Sequence, residues 1–350
     1  MPTSDGLHEL SADWPVPESS GQSDWIDLDG PVHYLDFGGP ADGPVIVCVH
    51  GLGGSSVNWA AIAPLLTHRY RMLAPDLAGH GLTQSAGRGT GVAANRLLLH
   101  RFIESVSASP VILMGNSMGG MISLLEAGAA PDAVAGLILV DPALPLVSAQ
   151  TGSLVAARFV LNAAPGVGRV ILGRHRRVSP EALVASNMSL CCEDDSRVPA
   201  EVVAQHVELV RRRAAFTDGR RDVAAATRSV IATLGYFHGK AYRRGIRSIT
   251  CPVLLLHGER DRVVPVAAAR AVTRVNPSWS LVVLPGVGHV PQLEAADESA
   301  RVITEWLGSA GRQAADLAAT GGCSRDLAAT GGCSSRQLAR LPSSALSSMR

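Results

Sequence analysis

Val111-Ile112-Leu113-Met114 runs directly into Gly115-Asn116-Ser117-Met118-Gly119, and the chain continues as Met121-Ile122-Ser123-Leu124-Leu125-Glu126-Ala127. The first run has the unbroken apolar character of a buried strand, and the last reads as a helix. A strand that turns this sharply into a helix forces its corner residue into a strained backbone. Small residues two positions to either side let the neighbouring backbone close in. Ser117 is that corner, with its hydroxyl held out at the tip. A chain with 36 glycines yields a G-x-S-x-G pattern by chance, so the motif alone does not make Ser117 a nucleophile. An activated serine also needs an imidazole base, a carboxylate to orient it, and amide donors for a developing oxyanion.

Outward from this corner, short strand-like runs alternate with helical segments. On the amino-terminal side, 25–28 and 32–37 read as a hairpin about Asp29-Gly30. They are followed by a strand at 45–49, a helix at 56–67, a strand at 71–75 and a helix at 91–107. After the strand at 111–115 and the helix at 118–129 comes a strand at 136–140. The strand signal then stops for about a hundred residues, and resumes with Pro252 to His257, a helix at 265–275, Leu281 to Leu284 and a helix at 297–308. Strands apolar on both faces and separated by helices predict an α/β fold with a mostly parallel central sheet flanked by helices. Residues 145–245, helical with Arg-rich turns at 174–177, 211–213, 220–221 and 243–244, then form an insertion into that sheet. The sequence divides into a disordered tail over 1–24, a core over 25–144 and 246–310, a helical cap over 145–245, and a low-complexity tail over 311–350. In that last tail Asp316 through Ser324 recurs as Asp326 through Ser334, which two copies make a duplication rather than a solenoid.

The missing parts of an activated serine each have a candidate. His289 lies in Gly286-Val287-Gly288-His289-Val290-Pro291, a turn straight after the last strand. Loops at the carboxyl ends of parallel strands are where such sheets bind ligands. Asp261, after the strand ending at His257, is the favoured orienting acid, ahead of Asp141 after the preceding core strand and Glu259. His50-Gly51-Leu52-Gly53-Gly54 follows the strand 45–49, and its glycines place the Leu52 amide beside that of Met118 as an oxyanion hole. The same glycine-rich turn lacks the G-x-G-x-x-G spacing and the lysine of a phosphate loop. His50 is read as a support of its loop.

Composition bounds the alternatives. With 350 residues, 47% of them hydrophobic, the chain can bury a large core, and a net charge of +1 gives no general attraction to nucleic acid. No apolar run reaches the ~20 residues that span a bilayer. The acidic start, with Asp5, Glu9, Asp13, Glu18 and Asp24, is unlike a secretory signal. Cysteines at 48, 191, 192, 251, 323 and 333 fit no zinc pairing; Cys48 and Cys251 fall in buried strands, and reduced thiols in a cytoplasmic protein are expected. No metal or organic cofactor is indicated.

Four motifs in order, His50-Gly51-Leu52-Gly53, Asp76-Leu77-Ala78-Gly79-His80-Gly81-Leu82-Thr83-Gln84-Ser85, Gly115 to Gly119, and Asp261 followed by His289, resemble the α/β-hydrolase superfamily over about 25–310. The serine, acid, histidine order is that of this family. The resemblance implies that 76–85 is a structural loop, so that Asp76 and His80 are not catalytic, and that 145–245 caps the site. It also sets a serine elbow apart from the dehalogenase and epoxide hydrolase branches, whose nucleophile is an aspartate.

The expected activity is hydrolysis of carboxylic esters through an acyl-enzyme on Ser117, with a small ester or acyl compound as the partner. The alternatives are carbon-carbon hydrolysis of ring-cleavage products, whose elbow Gly115 to Gly120 resembles, and a non-catalytic binding protein on the same fold. The cap carries 15 basic and 8 acidic side chains, read as a solvated surface, with peripheral contact to anionic lipid as the other reading. Leu144, Leu146, Val147, Leu154, Val155, Phe159, Val160 and Leu161 are candidates for an acyl pocket or for ordinary cap core.

Overall fold

A computed structural model describes residues 21–145, 178–216 and 219–309. Its strands are β1 (Gln22–Asp27), β2 (Pro31–Gly38), β3 (Val45–Val49), β4 (Arg71–Pro75), β5 (Val111–Asn116), β6 (Val134–Val140), β7 (Val253–Gly258) and β8 (Ser280–Leu284). They form one sheet in the order β1-β2-β4-β3-β5-β6-β7-β8. The first two pairings, β1 with β2 and β2 with β4, are antiparallel, and the rest are parallel.

The apolar alternation along the central strands explains why both faces are covered. Val47, Val49, Leu113, Leu137, Leu139 and Leu255 point to one face, where α2 (Val92–Val106), α3 (Met118–Ala129) and α8 (Val266–Val275) pack. Their neighbours Ile46, Cys48, Ile112, Met114, Ile138, Leu254 and Leu256 point to the other. There Trp59, Leu66 of α1 (Ala63–Leu66), and Ile303 and Trp306 of α10 (Ala296–Gly308) cover them. The period of two sends successive residues to opposite sides, so an unbroken apolar run is what a strand buried on both faces requires.

Between β6 and β7 the chain leaves the sheet. The described part of this excursion contains α4 (Pro180–Cys191), α5 (Ala200–Arg213), α6 (Gly219–Leu234) and α7 (Tyr236–Arg247). Ser179 caps α4 by accepting from the Ala182 amide at 3.2 Å, and Pro180 takes the first turn, where no amide hydrogen is needed. Val184 and Met188 of α4 and Val202 and Leu209 of α5 pack on Val57, Ala60, Leu82, Val290 and Leu293, which fastens these helices over the strand ends. No helix among the described residues is long and apolar enough to cross a membrane.

Four expectations need correction. The helix expected over 56–67 is two short pieces, a 3-10 turn at Ser56–Trp59 and α1. Pro64 cannot continue a helix through its own missing amide but fits the first turn of a new one. The first strand begins at Gln22 rather than Trp25, because β2 offers ladder partners as far as Asp36 opposite Gln22. The arginines at 211–213, 220–221 and 243–244 sit in α5, α6 and α7, not in turns. Arginine is a good helix former, and at 211–213 it also complements the negative end of α5. Cys48 is fully buried, whereas Cys251 precedes β7 and is half-buried. The duplicated segment, its two cysteines and the pocket candidates from Leu146 to Leu161 lie outside the described residues; Leu144 is buried with the core.

Candidate active site

β5 ends at Asn116, α3 begins at Met118, and Ser117 between them has φ 54° and ψ −116°. This left-handed conformation is costly for a residue with a side chain, on the order of 1–3 kcal/mol. Three backbone bonds hold it there. Ser117 donates its amide to Val140 O at 3.1 Å, and its carbonyl accepts from Met121 at 3.1 Å and Ala143 at 2.9 Å. The flanking glycines are required by contact: a Cβ on Gly119 would stand 2.0 Å from Val49 O, and one on Gly115 2.6 Å from Ser123 Oγ. Gly51 also runs against the corner, since a Cβ there would lie 3.2 Å from that of Ser117. Leu52 follows it, half-buried, and Met118 opens α3, so its amide belongs to the helical turn that lacks intrahelical acceptors.

Asp261 and His289 come together as a buried pair. His289 Nδ1 lies 2.7 Å from Asp261 Oδ2, while Asp261 Oδ1 accepts the amides of Val263 at 2.7 Å and Val264 at 2.9 Å. Burial pushes the Asp261 carboxyl up, but the charge and hydrogen bond of His289, with help from Asp141 and His257, hold it below the usual carboxylate range. The histidine loop reaches the serine corner through Asn116, whose Nδ2 donates to His289 O at 3.1 Å and to Val140 O at 3.0 Å. Glu259, by contrast, is exposed and accepts from the Gly286 amide at 3.3 Å, away from the imidazole pair.

Asp76 and His50 form a separate buried assembly. Asp76 accepts from the Ser56 amide at 2.7 Å, from the Leu82 amide at 2.7 Å, and bonds His33 Nδ1 at 2.6 Å. Burial opposes the charge, yet His33, His50 and the Ser56 amide hold its carboxyl down at about 2. Gly81 has to be glycine, because a Cβ would stand 1.9 Å from the Asp76 carboxyl carbon. His50 Nε2 accepts from Leu77 at 3.1 Å, and its Nδ1 donates to Gly51 O at 2.8 Å. His80 sits 5.3 Å from the His50 ring and bonds its own loop at Ala78 O. Burial pushes it down to about 3, a neutral imidazole. From the end of α5, Arg213 donates to the carbonyls of Gly79, at 3.0 Å, and Gly81.

Glu294 is the site feature that the sequence reading passes over. It is 3% exposed, and its carboxylate accepts the amides of Gly288 at 2.8 Å, Glu193 at 3.1 Å and Asp194 at 2.9 Å. The His289 amide donates to Cys191 O at 2.6 Å, and Arg262 reaches Cys192 O at 2.6 Å. The end of α4 is therefore built into the loop that carries His289. The one signal in the sequence is an acidic side chain in the apolar stretch after Pro291.

Residues 44–296 match the family model described as alpha/beta hydrolase fold, and the chain belongs to that family. It is a hydrolase. It is 27% identical over 318 residues to the magnesium-chelatase 30 kDa subunit of Rhodobacter capsulatus, covering 85% of this chain and 98% of that one. It is 29% identical over 269 residues to the pimeloyl-[acyl-carrier protein] methyl ester esterase of Methylococcus capsulatus, covering 76% and 96%. In structure it is similar to a thermophilic esterase from Thermogutta terrifontis, with a TM-score of 0.61, 24% identity, and coverage of 84% and 99%.

Proposed function

We propose that the protein hydrolyses carboxylic esters of small molecules through an acyl-enzyme, with Ser117 as nucleophile, His289 as general base and acid, and Asp261 as the orienting acid. The observation that carries this reading is the 2.7 Å bond from His289 Nδ1 to Asp261, on a loop tied through Asn116 to the strained Ser117 corner. With its Nδ1 proton committed to Asp261, the imidazole presents the Nε2 lone pair. Ser117 Oγ attacks the ester carbonyl as its proton passes to Nε2, and the amides of Leu52 and Met118 receive the negative oxygen. The imidazolium then protonates the leaving alcohol. Water, deprotonated at the same nitrogen, attacks the acyl carbon and releases the acid. The likeness to an esterase that acts on a methyl ester supports this substrate class.

The test is labelling of folded protein by a fluorophosphonate probe, followed by turnover of aryl and acylglycerol esters of graded chain length. Labelling is expected in the wild type and absent from Ser117→Ala and His289→Ala. An unlabelled wild type refutes the nucleophile assignment, and turnover of a dienoic diketone without any ester refutes the ester assignment.

A further inference from the structure

Asp141 stands directly after β6, fully buried, with φ 45°. Its Oδ1 accepts from the Gly258 amide at 3.0 Å and lies 3.3 Å from His257 Nε2; among the described residues no donor reaches its Oδ2. An oxygen of Asp141, an oxygen of Asp261 and a ring nitrogen of His289 all lie within 4.8 Å of one another. Two ionised carboxylates that close, out of water, repel strongly, so one keeps its proton. Asp261 is the one that has two amides and an imidazole to accept from, and Asp141 is the one with an unserved oxygen.

His257 does not neutralise the pair. Burial pushes its imidazole down, and its one proton, on Nε2, is directed to the nearer acceptor, Val264 O at 2.8 Å. The titratable groups facing the carboxyl pair are His257 of β7, His289 of the loop after β8, Glu294 of α9 (Pro291–Glu294) and Cys191 at the end of α4. Of these, Glu294 adds to the negative field at Asp141. Burial first, then the Asp261 charge, push the Asp141 carboxyl well above the usual carboxylate range.

We propose that Asp141 is a positioning residue for the reaction: a protonated acid whose Oδ2 donates to Asp261, so that one negative charge, spread over two carboxyl groups, faces His289. This deepens the esterase reading and rests on it for the catalytic consequence. It also gives the site a reserve. When Asp261 is neutral, its charge no longer adds to burial and Glu294 in holding the proton on Asp141, and the Asp141 carboxyl, within 4.8 Å of the imidazole, takes over as its negative partner.

Two measurements test this. In protein labelled with 13C at the aspartate carboxyl carbons, the signal assigned to Asp141 by its loss in Asp141→Asn is expected at the protonated position at pH 7. An ionised signal, titrating near the ordinary aspartate range, overturns the proposal whatever the activity. In the kinetic arm, Asp141→Asn supplies an amide donor of the same shape, and ester turnover is expected to fall less than threefold. In an Asp261→Asn background the same change is expected to cost a further tenfold or more. Equal costs in the two backgrounds, with both proteins folded by circular dichroism, overturn it. A protonated Asp141 in a protein that no fluorophosphonate labels leaves the carboxyl pair standing and refutes the esterase reading alone.

Discussion

Glu294 accepts the backbone amide of Gly288, the residue before His289, at 2.8 Å, and the same carboxylate accepts the amides of Glu193 and Asp194, which follow α4. One buried side chain therefore sets the entry to the histidine loop and the exit from α4. Each hydrogen bond to a charged acceptor contributes about 1.5–3 kcal/mol. Glu294→Gln is expected to lower stability by about 2 kcal/mol in urea unfolding. It should also lower ester kcat about tenfold, because a base shifted by a fraction of an ångström loses alignment. An unchanged kcat would show that the clamp does not position His289.

The strain at Ser117 predicts that its two simplest replacements differ. Alanine retains a Cβ in the unfavourable conformation, whereas glycine adopts φ 54° freely. Both variants should lose fluorophosphonate labelling. Ser117→Gly should be the more stable by about 1 kcal/mol, after the greater entropy of glycine in the unfolded chain is counted. A less stable glycine variant would mean that the corner is not strained.

Gly119 has no room for a methyl group, with Val49 O 2.0 Å and His50 O 2.5 Å from the position of a Cβ. Gly119→Ala must push the 49–50 backbone away from α3, at a cost of about 3 kcal/mol. The shift moves the neighbouring Leu52 amide, so residual labelling should be much slower than in the wild type. Wild-type stability in a denaturant titration would contradict this.

Asp76 makes stability depend on acid. Its carboxyl is held at about 2 in the folded protein, below the ~3.9 of an unfolded aspartate. Its contribution is therefore complete above pH ~4 and is lost as the pH falls toward 2, an effect on the order of 2 kcal/mol. Asp76→Asn should be destabilised at neutral pH, and its unfolding midpoint should decline less steeply than that of the wild type between pH 4 and 2. Parallel declines would assign the acid sensitivity to other groups.

The sheet is legible in the sequence because strands buried on both faces must be apolar throughout, as in Val111 to Met114 and Val253 to Leu256. Asp261 and His289 are legible for a related reason: each closely follows a core strand, so the direction of the sheet alone brings both to one edge. Asp141 meets the same criterion, and only its contact with Asp261 distinguishes an acid that holds its charge from one that keeps its proton. The role of Glu294 is not legible, because its partners at 193 and 194 lie about a hundred residues away and offer only backbone amides. The arginines at 211–213 mislead because a run of charge marks a solvated surface equally in a turn and at the end of a helix.

The bonds from Cys191, Glu193 and Asp194 to the His289 loop bear on how this chain can be re-engineered. A cap attached only at the two strand ends behaves as an exchangeable module, and specificity can be transplanted by cutting there. Here four consecutive residues at the end of α4 belong to the scaffold of the core in all but chain order. A graft that replaces the whole insertion removes the support of the histidine along with the old specificity, whereas one that keeps 191–194 and exchanges its flanks leaves that support in place.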